Sequence, residues 1–269
     1  MNHSAWNTSI AITGAGSGFG AALAHKYASL GWSVAVTDID EARARQTLFE
    51  IRDFGGDSLA MPLDVTNADH WQQLQQTVME QWGGLMVLVN NAGVAAAGNV
   101  EDTSIEDWQW VLDIDLMGVV RGCHQFAGIM KRQKTGHIVN ISSFAGLAGL
   151  PFISAYGVAK AGVVALSEAL RAEMHPYGVG VTVACPAFVK TGLLDTFRST
   201  SPDTLTTVTR WMETSGISAE QVAEDIAKAV RDNDFLLLTH DKTRKAWRLK
   251  RWLPERYFRL ISKRTSSTG

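Results

Sequence analysis

Residues 13–20 read Thr13-Gly14-Ala15-Gly16-Ser17-Gly18-Phe19-Gly20, between the apolar run Ser9–Thr13 and a helix-period stretch from Phe19 to Leu30. Glycines here let the backbone turn tightly and approach a pyrophosphate, whose charge then meets free N–H groups at a helix N-terminus. Gly14, Ser17, Gly18, Phe19 and Gly20 are therefore candidate cofactor contacts. The spacing is not Gly-x-Gly-x-x-Gly, because position 19 is Phe. Alone, such a turn also reads as a tight strand–helix connection. Its place after a buried strand and before a helix favours phosphate binding.

Eighteen residues beyond Gly20, Asp38 ends the next strand candidate. An acidic residue there accepts hydrogen bonds from adenosine ribose hydroxyls in a dinucleotide fold. The same carboxylate repels a 2′-phosphate, and neither Ser17 nor Ile39 supplies a neighbouring cation, so NAD is expected over NADP. The plain alternative is an Asp that caps a turn, with Arg43 and Arg45 close by in sequence.

Beyond this unit, short apolar runs alternate with helix-period segments. Strands are expected at Ser9–Thr13, Ser33–Asp38, Asp57–Pro62, Met86–Asn90, Gly136–Ser142, Gly180–Cys185 and Phe235–Thr239. Several are β-branched and almost wholly apolar, as strands buried on both faces are. Helices are expected at Phe19–Leu30, Asp69–Trp82, Ser104–Gln133, Ile153–His175 and Ser218–Arg231, the last opened by a Ser218/Gln221 capping box. The alternation predicts an α/β, doubly wound, Rossmann-type fold in a single domain, its mostly parallel seven-stranded sheet flanked by helices. Ligands of such sheets sit outside the carboxyl ends of the strands.

Composition narrows the class. Across 269 residues, 46% hydrophobic content and a net charge of −2 exclude disorder, and the longest apolar runs are far too short to span a membrane. Met1 to Asn7 is polar, so no signal peptide is expected. Two cysteines, Cys123 and Cys185, cannot build a disulfide framework and suit a reducing, cytoplasmic compartment. Seven histidines form no His-x-x-x-His pair or His/Cys cluster, so no metal site is expected.

Tyr156 and Lys160 stand four residues apart on an expected helix, hence on one face. A phenol has an ordinary pKa near 10, and an ammonium within about 4–6 Å favours the phenolate, bringing it toward acid–base duty. Any helix can carry an exposed Tyr–Lys pair. Ser142-Ser143, at the end of the preceding strand, supplies a hydroxyl at the sheet edge where this fold puts ligands.

Together these residues make the chain resemble the short-chain dehydrogenase/reductase family over roughly Ile10 to Thr239. The likeness rests on Thr13-Gly14-x-x-x-Gly18-x-Gly20, Asp64-Val65, Asn90-Asn91-Ala92-Gly93, Ser143, Tyr156-x-x-x-Lys160 and Pro186-x-x-x-x-Thr191, in family order. The resemblance implies Tyr156 as acid/base for a carbonyl or alcohol, Ser143 bonded to the same oxygen, and Lys160 both depressing the Tyr156 pKa and holding the nicotinamide ribose. It implies Asp64 and Val65 at the adenine, and Asn91, Ala92 and Gly93 lining the cofactor, with Asn90 bracing the sheet centre. Pro186, Val189 and Thr191 would lie at the carboxamide. It also implies an NAD-dependent alcohol dehydrogenase or ketone reductase that forms a homo-oligomer, a dimer or tetramer.

Two residues depart from the family pattern. Asp115 stands where a fourth catalytic residue, Asn, is usual; the change predicts an altered pH profile, or, alternatively, a catalytically weak NAD-binding scaffold or sensor. Ala187 replaces a usual Gly, predicting mild strain or a shifted loop. Around the site, Val94–Ala97, Phe144, Leu147, Phe152, Phe188, Leu193 and Leu194 form apolar walls suited to a lipophilic alcohol or ketone, several of them equally readable as core. Residues 193–216, rich in Ser and Thr, read as a lid.

Charge sets the end of the chain apart. Residues 1–240 are expected to form the dinucleotide-binding and catalytic domain, and 241–269 a basic amphipathic extension. His240 to Arg264 holds ten Lys/Arg against Asp241 and Glu255, a net +8, while the remainder has 15 basic and 25 acidic side chains. Pro254 predicts two short helices there. Packing on the body or a second subunit is the first reading, and peripheral contact of residues 241–264 with an anionic membrane the second. A basic stretch alone does not point to nucleic acid, and none is expected as a partner.

Overall fold

The computed structural model describes residues 8–187, 189, 196–199 and 216–265, with side chains as far as Ser262. Its centre is a parallel sheet. The chain runs β1 (Ser9–Thr13), α1 (Gly18–Ser29), β2 (Ser33–Asp38), α2 (Glu41–Ile51), β3 (Leu59–Pro62), α3 (Ala68–Trp82) and β4 (Val87–Asn90). It continues through β5 (Ala96–Ala97), α4 (Ile105–Leu112), α5 (Gly118–Gln133), β6 (Gly136–Ile141), α6 (Phe144–Ala148), α7 (Ser154–Met174) and β7 (Val179–Ala184). After β8 (Arg198–Ser199) come α8 (Ala219–Asp232), β9 (Leu236–Leu237), α9 (Asp241–Trp252) and α10 (Pro254–Thr265). Seven strands pair in the order β3-β2-β1-β4-β6-β7-β9, every pairing parallel, while β5 and β8 pair apart.

The β-branched strands explain the layering. In β1 and β2, Ile10, Ile12, Val34 and Val36 point to one face, packed with Leu23 and Ala24 of α1, Ala44 of α2 and Ile226 of α8. Ala11 and Ala35 point to the other, beneath Leu74 of α3, Phe126 of α5 and Val163 of α7. With helices on both faces, every residue of β1, β2, β4 and β6 is buried. The strand order reverses direction between β1 and β4, and this opens the crevice into which the glycine turn projects.

The doubly wound sheet is as expected, with strand ends one or two residues shorter or shifted. The helix expected over Ser104–Gln133 is instead α4 and α5 joined by a π-helical turn, Asp113–Met117. That wider turn carries Asp115 into a fully buried position. Helix α2 was not anticipated; it starts because Asp40 Oδ1 accepts from the amides of Ala42 (2.9 Å) and Arg43 (3.3 Å). Half of the Ser218 capping box forms: Ser218 Oγ accepts from Gln221 N at 3.3 Å, but Gln221 donates to Asp225. The two terminal helices are present, with Pro254 at the start of the second.

Candidate active site

Gly14 and Gly18 sit at φ 62° and 54°, where a Cβ is disfavoured. A Cβ at Gly20 would collide with the Gly14 carbonyl oxygen, so α1 packs directly onto the turn it leaves. Ser17, the N-cap of α1, makes no side-chain cap, and no side chain among the described residues accepts from the first-turn amides. Asp38 is 8% exposed; its Oδ2 accepts from Gly16 N and its Oδ1 from Asp40 N, both at 3.0 Å. A carboxylate is thereby fixed beside a shaped, uncapped helix terminus, and these residues fit a nicotinamide dinucleotide. Asp64 Oδ1 accepts from Thr66 N (2.8 Å) and Thr66 Oγ1 (2.7 Å), with Val65 buried next to it.

The segment after β4 ties this cradle to the second half of the site. The Thr13 hydroxyl accepts from the amides of Asn91 and Ala92, both at 2.9 Å, and Asn91 Nδ2 donates to the carbonyls of Thr13 (2.8 Å) and Gly14 (3.1 Å). Two residues on, a Cβ at Gly93 would stand 3.3 Å from both Lys160 Nζ and Asp115 Oδ2. Thr13 stands in the quoted glycine motif but was given no role there; only the packed strand ends reveal its hydroxyl as a double acceptor. Below, Asn90 Nδ2 donates to Asn140 Oδ1 (2.8 Å) and Asn140 Nδ2 to Ser167 Oγ (3.0 Å), joining β4, β6 and α7 by a buried polar link.

Helix α7 presents Tyr156 and Lys160 together because Ala155 and Ala159 on the same helix are small and buried against Val111 and Ala96. Ser142 Oγ donates to the Lys160 carbonyl at 2.8 Å, pinning the end of β6 to α7. Ser143 instead caps α6, accepting from Ala145 N at 3.1 Å, and its hydroxyl lies close enough to Tyr156 to pull the phenol's pKa down. Ser143, not Ser142, is thus the serine that meets the phenol. Lys160 Nζ lies 5.6 Å from the Tyr156 ring centre.

Lys160 and Asp115 form a buried ion pair, Nζ to Oδ2 at 3.1 Å, with relative side-chain exposures of 4% and 0%. Lys160 Nζ also donates to the Ile141 carbonyl at 3.1 Å, and Asp115 Oδ1 accepts from Val94 N at 2.8 Å. The Ile141 carbonyl takes one ammonium proton while Asp115 Oδ2 stands in ion-pair contact without a hydrogen bond, which leaves N–H capacity for a ligand. Burial raises the Asp115 carboxyl above its ordinary range, against the pull of Lys160 and the Val94 amide. Burial alone would lower the Lys160 ammonium; the charges of Asp115 and Tyr156 more than offset this and hold it up. For Tyr156 the expectation of a net depression is corrected: burial raises the phenol above 10, Lys160 lowers it, and Asp115 raises it again. Cys185, packed nearby, is pushed up to about 12 by burial and stays a thiol.

Of the apolar wall, Ala95, Ala96 and Ala97 are core, and Phe144 and Leu147 pack partly against it. Phe152 is different: it is 40% exposed at φ 65°, with its carbonyl accepting from Gly98 N at 2.8 Å. A bulky residue in the left-handed region costs about 1–3 kcal/mol and marks a segment held by its surroundings. Ala187 is not among the residues with positive φ, so of the two alternatives expected there, mild strain does not occur. Val189 is buried, and the Pro186 carbonyl accepts from Phe144 N at 2.8 Å. Thr191, Phe188, Leu193 and Leu194 lie outside the described residues, as does the expected lid apart from 196–199 and Gly216. Among the described residues, no three His, Cys, Asp or Glu are placed to hold a metal, and no helix is long and apolar enough to cross a membrane.

Comparison with known proteins fits this geometry. The sequence pattern of the short chain dehydrogenase family matches residues 8–202. "Probable oxidoreductase EphD" of Mycobacterium tuberculosis is 39% identical over 199 residues, covering 74% of this chain; the chain spans about a third, 34%, of that relative's length. Cyclopentanol dehydrogenase of Comamonas testosteroni is 32% identical over 182 residues, 68% of this chain and 73% of the relative. A Burkholderia phymatum short chain dehydrogenase/reductase, solved in complex with NAD, superposes with a TM-score of 0.86 at 34% identity, over 92% of this chain and 94% of that one.

Proposed function

The chain belongs to the short-chain dehydrogenase family, and we propose that it transfers a hydride between NAD(H) and a lipophilic secondary alcohol or its ketone, with Tyr156 as the acid/base. The observation that carries this reading is Tyr156 held over the buried, ion-paired Lys160 ammonium, with Ser143 near enough to lower its pKa, and the group joined to the glycine cradle by Asn91–Gly93. The nicotinamide, when bound, supplies the hydride chemistry. Tyr156 gives a proton to the carbonyl oxygen in reduction and takes it from the alcohol in oxidation. Ser143 holds that oxygen by a second hydrogen bond. Lys160 uses a free N–H on the cofactor ribose, while the Asp115 charge and the Ile141 carbonyl fix its position. Gly14, Ser17, Gly18, Phe19 and Gly20 take the pyrophosphate, Asp38 the adenosine ribose, Asp64 and Val65 the adenine. Pro186, Val189 and Thr191 take the carboxamide.

The alcohol class is supported by the name of the Comamonas relative, and NAD by the ligand of the Burkholderia structure. Homo-oligomerisation rests on family membership, and two free, buried cysteines suit a cytoplasmic setting. A panel of secondary alcohols with NAD tests the reaction: NADH absorbance should appear for bulky apolar members. No turnover across a broad panel, with NAD still bound, would favour the scaffold reading.

Asp38 governs the choice of dinucleotide. Wild type should bind NAD more tightly than NADP, and Asp38→Ser should narrow that gap by about tenfold or more, since it removes a buried anion facing the 2′ position. Competitive binding measured by calorimetry decides this; tighter NADP binding by wild type would defeat the assignment.

Asp115 sets the pH profile. Its charge raises the Tyr156 phenol, so Asp115→Asn should move the rising limb of alcohol oxidation to lower pH. The sign is fixed by charge: removing a nearby anion stabilises a phenolate. A profile of kcat/KM against pH that stays put, or moves upward, counts against a charged Asp115.

A further inference from the structure

The two C-terminal helices leave both cations and large apolar side chains exposed. Lys242, Lys245, Arg248, Arg256 and Arg259 are exposed and form no ion pair with a described residue. On the same helices Trp252 is 77% exposed, Phe258 63% and Leu260 54%, and Leu253 at their junction 47%. Thr243 and Tyr257 turn inward, and Lys250 Nζ donates to the Leu147 carbonyl at 2.7 Å. Helix α9 is thereby anchored on α6, the helix that Ser143 caps.

We propose that α9 and α10 form a docking face for a bilayer containing anionic lipids. Charge selects the occupant. A two-fold pairing of this face with a second copy sets +8 against +8, which repels. A nucleic acid backbone satisfies the cations but leaves Leu253 and Leu260 in water. A headgroup layer takes both, because the cations meet lipid phosphates while Trp, Phe and Leu sink to the acyl boundary. Docking sets the rim of the candidate site beside the hydrocarbon in which lipophilic alcohols dissolve; that consequence rests on the proposed function, whereas docking does not.

Co-sedimentation of the full chain with vesicles tests it. Phosphatidylcholine vesicles containing one-third phosphatidylglycerol should pellet the protein at low salt at least about tenfold better than phosphatidylcholine alone, with the difference fading at high salt. Arg248→Glu/Arg256→Glu/Arg259→Glu should weaken binding by on the order of a hundredfold with elution volume in gel filtration unchanged. Trp252→Ser/Phe258→Ser, which keeps the charge, should weaken it as well. Equal pelleting with both vesicles, undiminished binding by the triple variant, a change of oligomeric state in it, or tighter binding to an oligonucleotide than to the anionic vesicles would each overturn the proposal. Pelleting needs no turnover, so an inert enzyme that still pellets refutes the proposed function alone.

Discussion

Tyr156→Phe is expected to lower secondary-alcohol turnover by about 10²–10⁴-fold, the usual worth of one positioned acid/base, while NAD still binds. The substitution removes a single oxygen from a helix whose packing depends on Ala155 and Ala159. The ring is kept, and so is the Lys160–Asp115 pair. What disappears is the hydroxyl beside Ser143, on a ring that lies 5.6 Å from the Lys160 ammonium. A water replacing the lost oxygen is a far weaker acid than a phenol, about 15.7 against about 10 in bulk, so it substitutes poorly. Steady-state rates with the best alcohol from the panel, together with NAD affinity, check the outcome. Retained turnover would remove Tyr156 from the reaction, and equal inertness of both proteins would leave a nucleotide-binding scaffold.

Lys160→Met is expected to destabilise the fold by about 3–5 kcal/mol at neutral pH, because it strands the fully buried Asp115 carboxylate. The double variant Lys160→Met/Asp115→Asn should recover a large part of that loss, since an amide carries no charge to desolvate. The pH dependence has a definite sign. Without its cation, the folded-state pKa of Asp115 lies far above the unfolded value near 3.9, so the folded protein binds the extra proton. The penalty therefore grows as pH rises above the unfolded pKa and shrinks as pH falls. Denaturant titrations at about pH 5 and pH 8 should show the single variant closer to wild type at the lower pH. An equal loss at both, or no recovery in the double variant, would mean that the pair is neutral.

Much of the architecture was legible in the chain itself. The apolar β-branched runs and the glycines at 14 and 18 are local instructions: a strand buried on two faces has to be apolar throughout, and a backbone at positive φ tolerates little but glycine. The i, i+4 spacing of Tyr156 and Lys160 likewise needs only one helix. Less legible were the features that depend on two segments meeting. The expected single helix over Ser104–Gln133 contains a π turn because burying Asp115 against Lys160 and Val94 N reshapes it, and both partners are remote in sequence.

The sequence by itself determined the order of strands and helices, the glycine cradle and the helix face bearing the phenol and the ammonium, because each follows from periodicity or from the stereochemistry of one residue. Tertiary structure alone decided which serine meets Tyr156, that Thr13 braces Asn91 and Ala92, and that Asp115 binds Lys160 directly through its carboxylate. Those outcomes depend on desolvation and on distances of about 3 Å between strand ends, quantities that come into being only when separate stretches of chain are packed together.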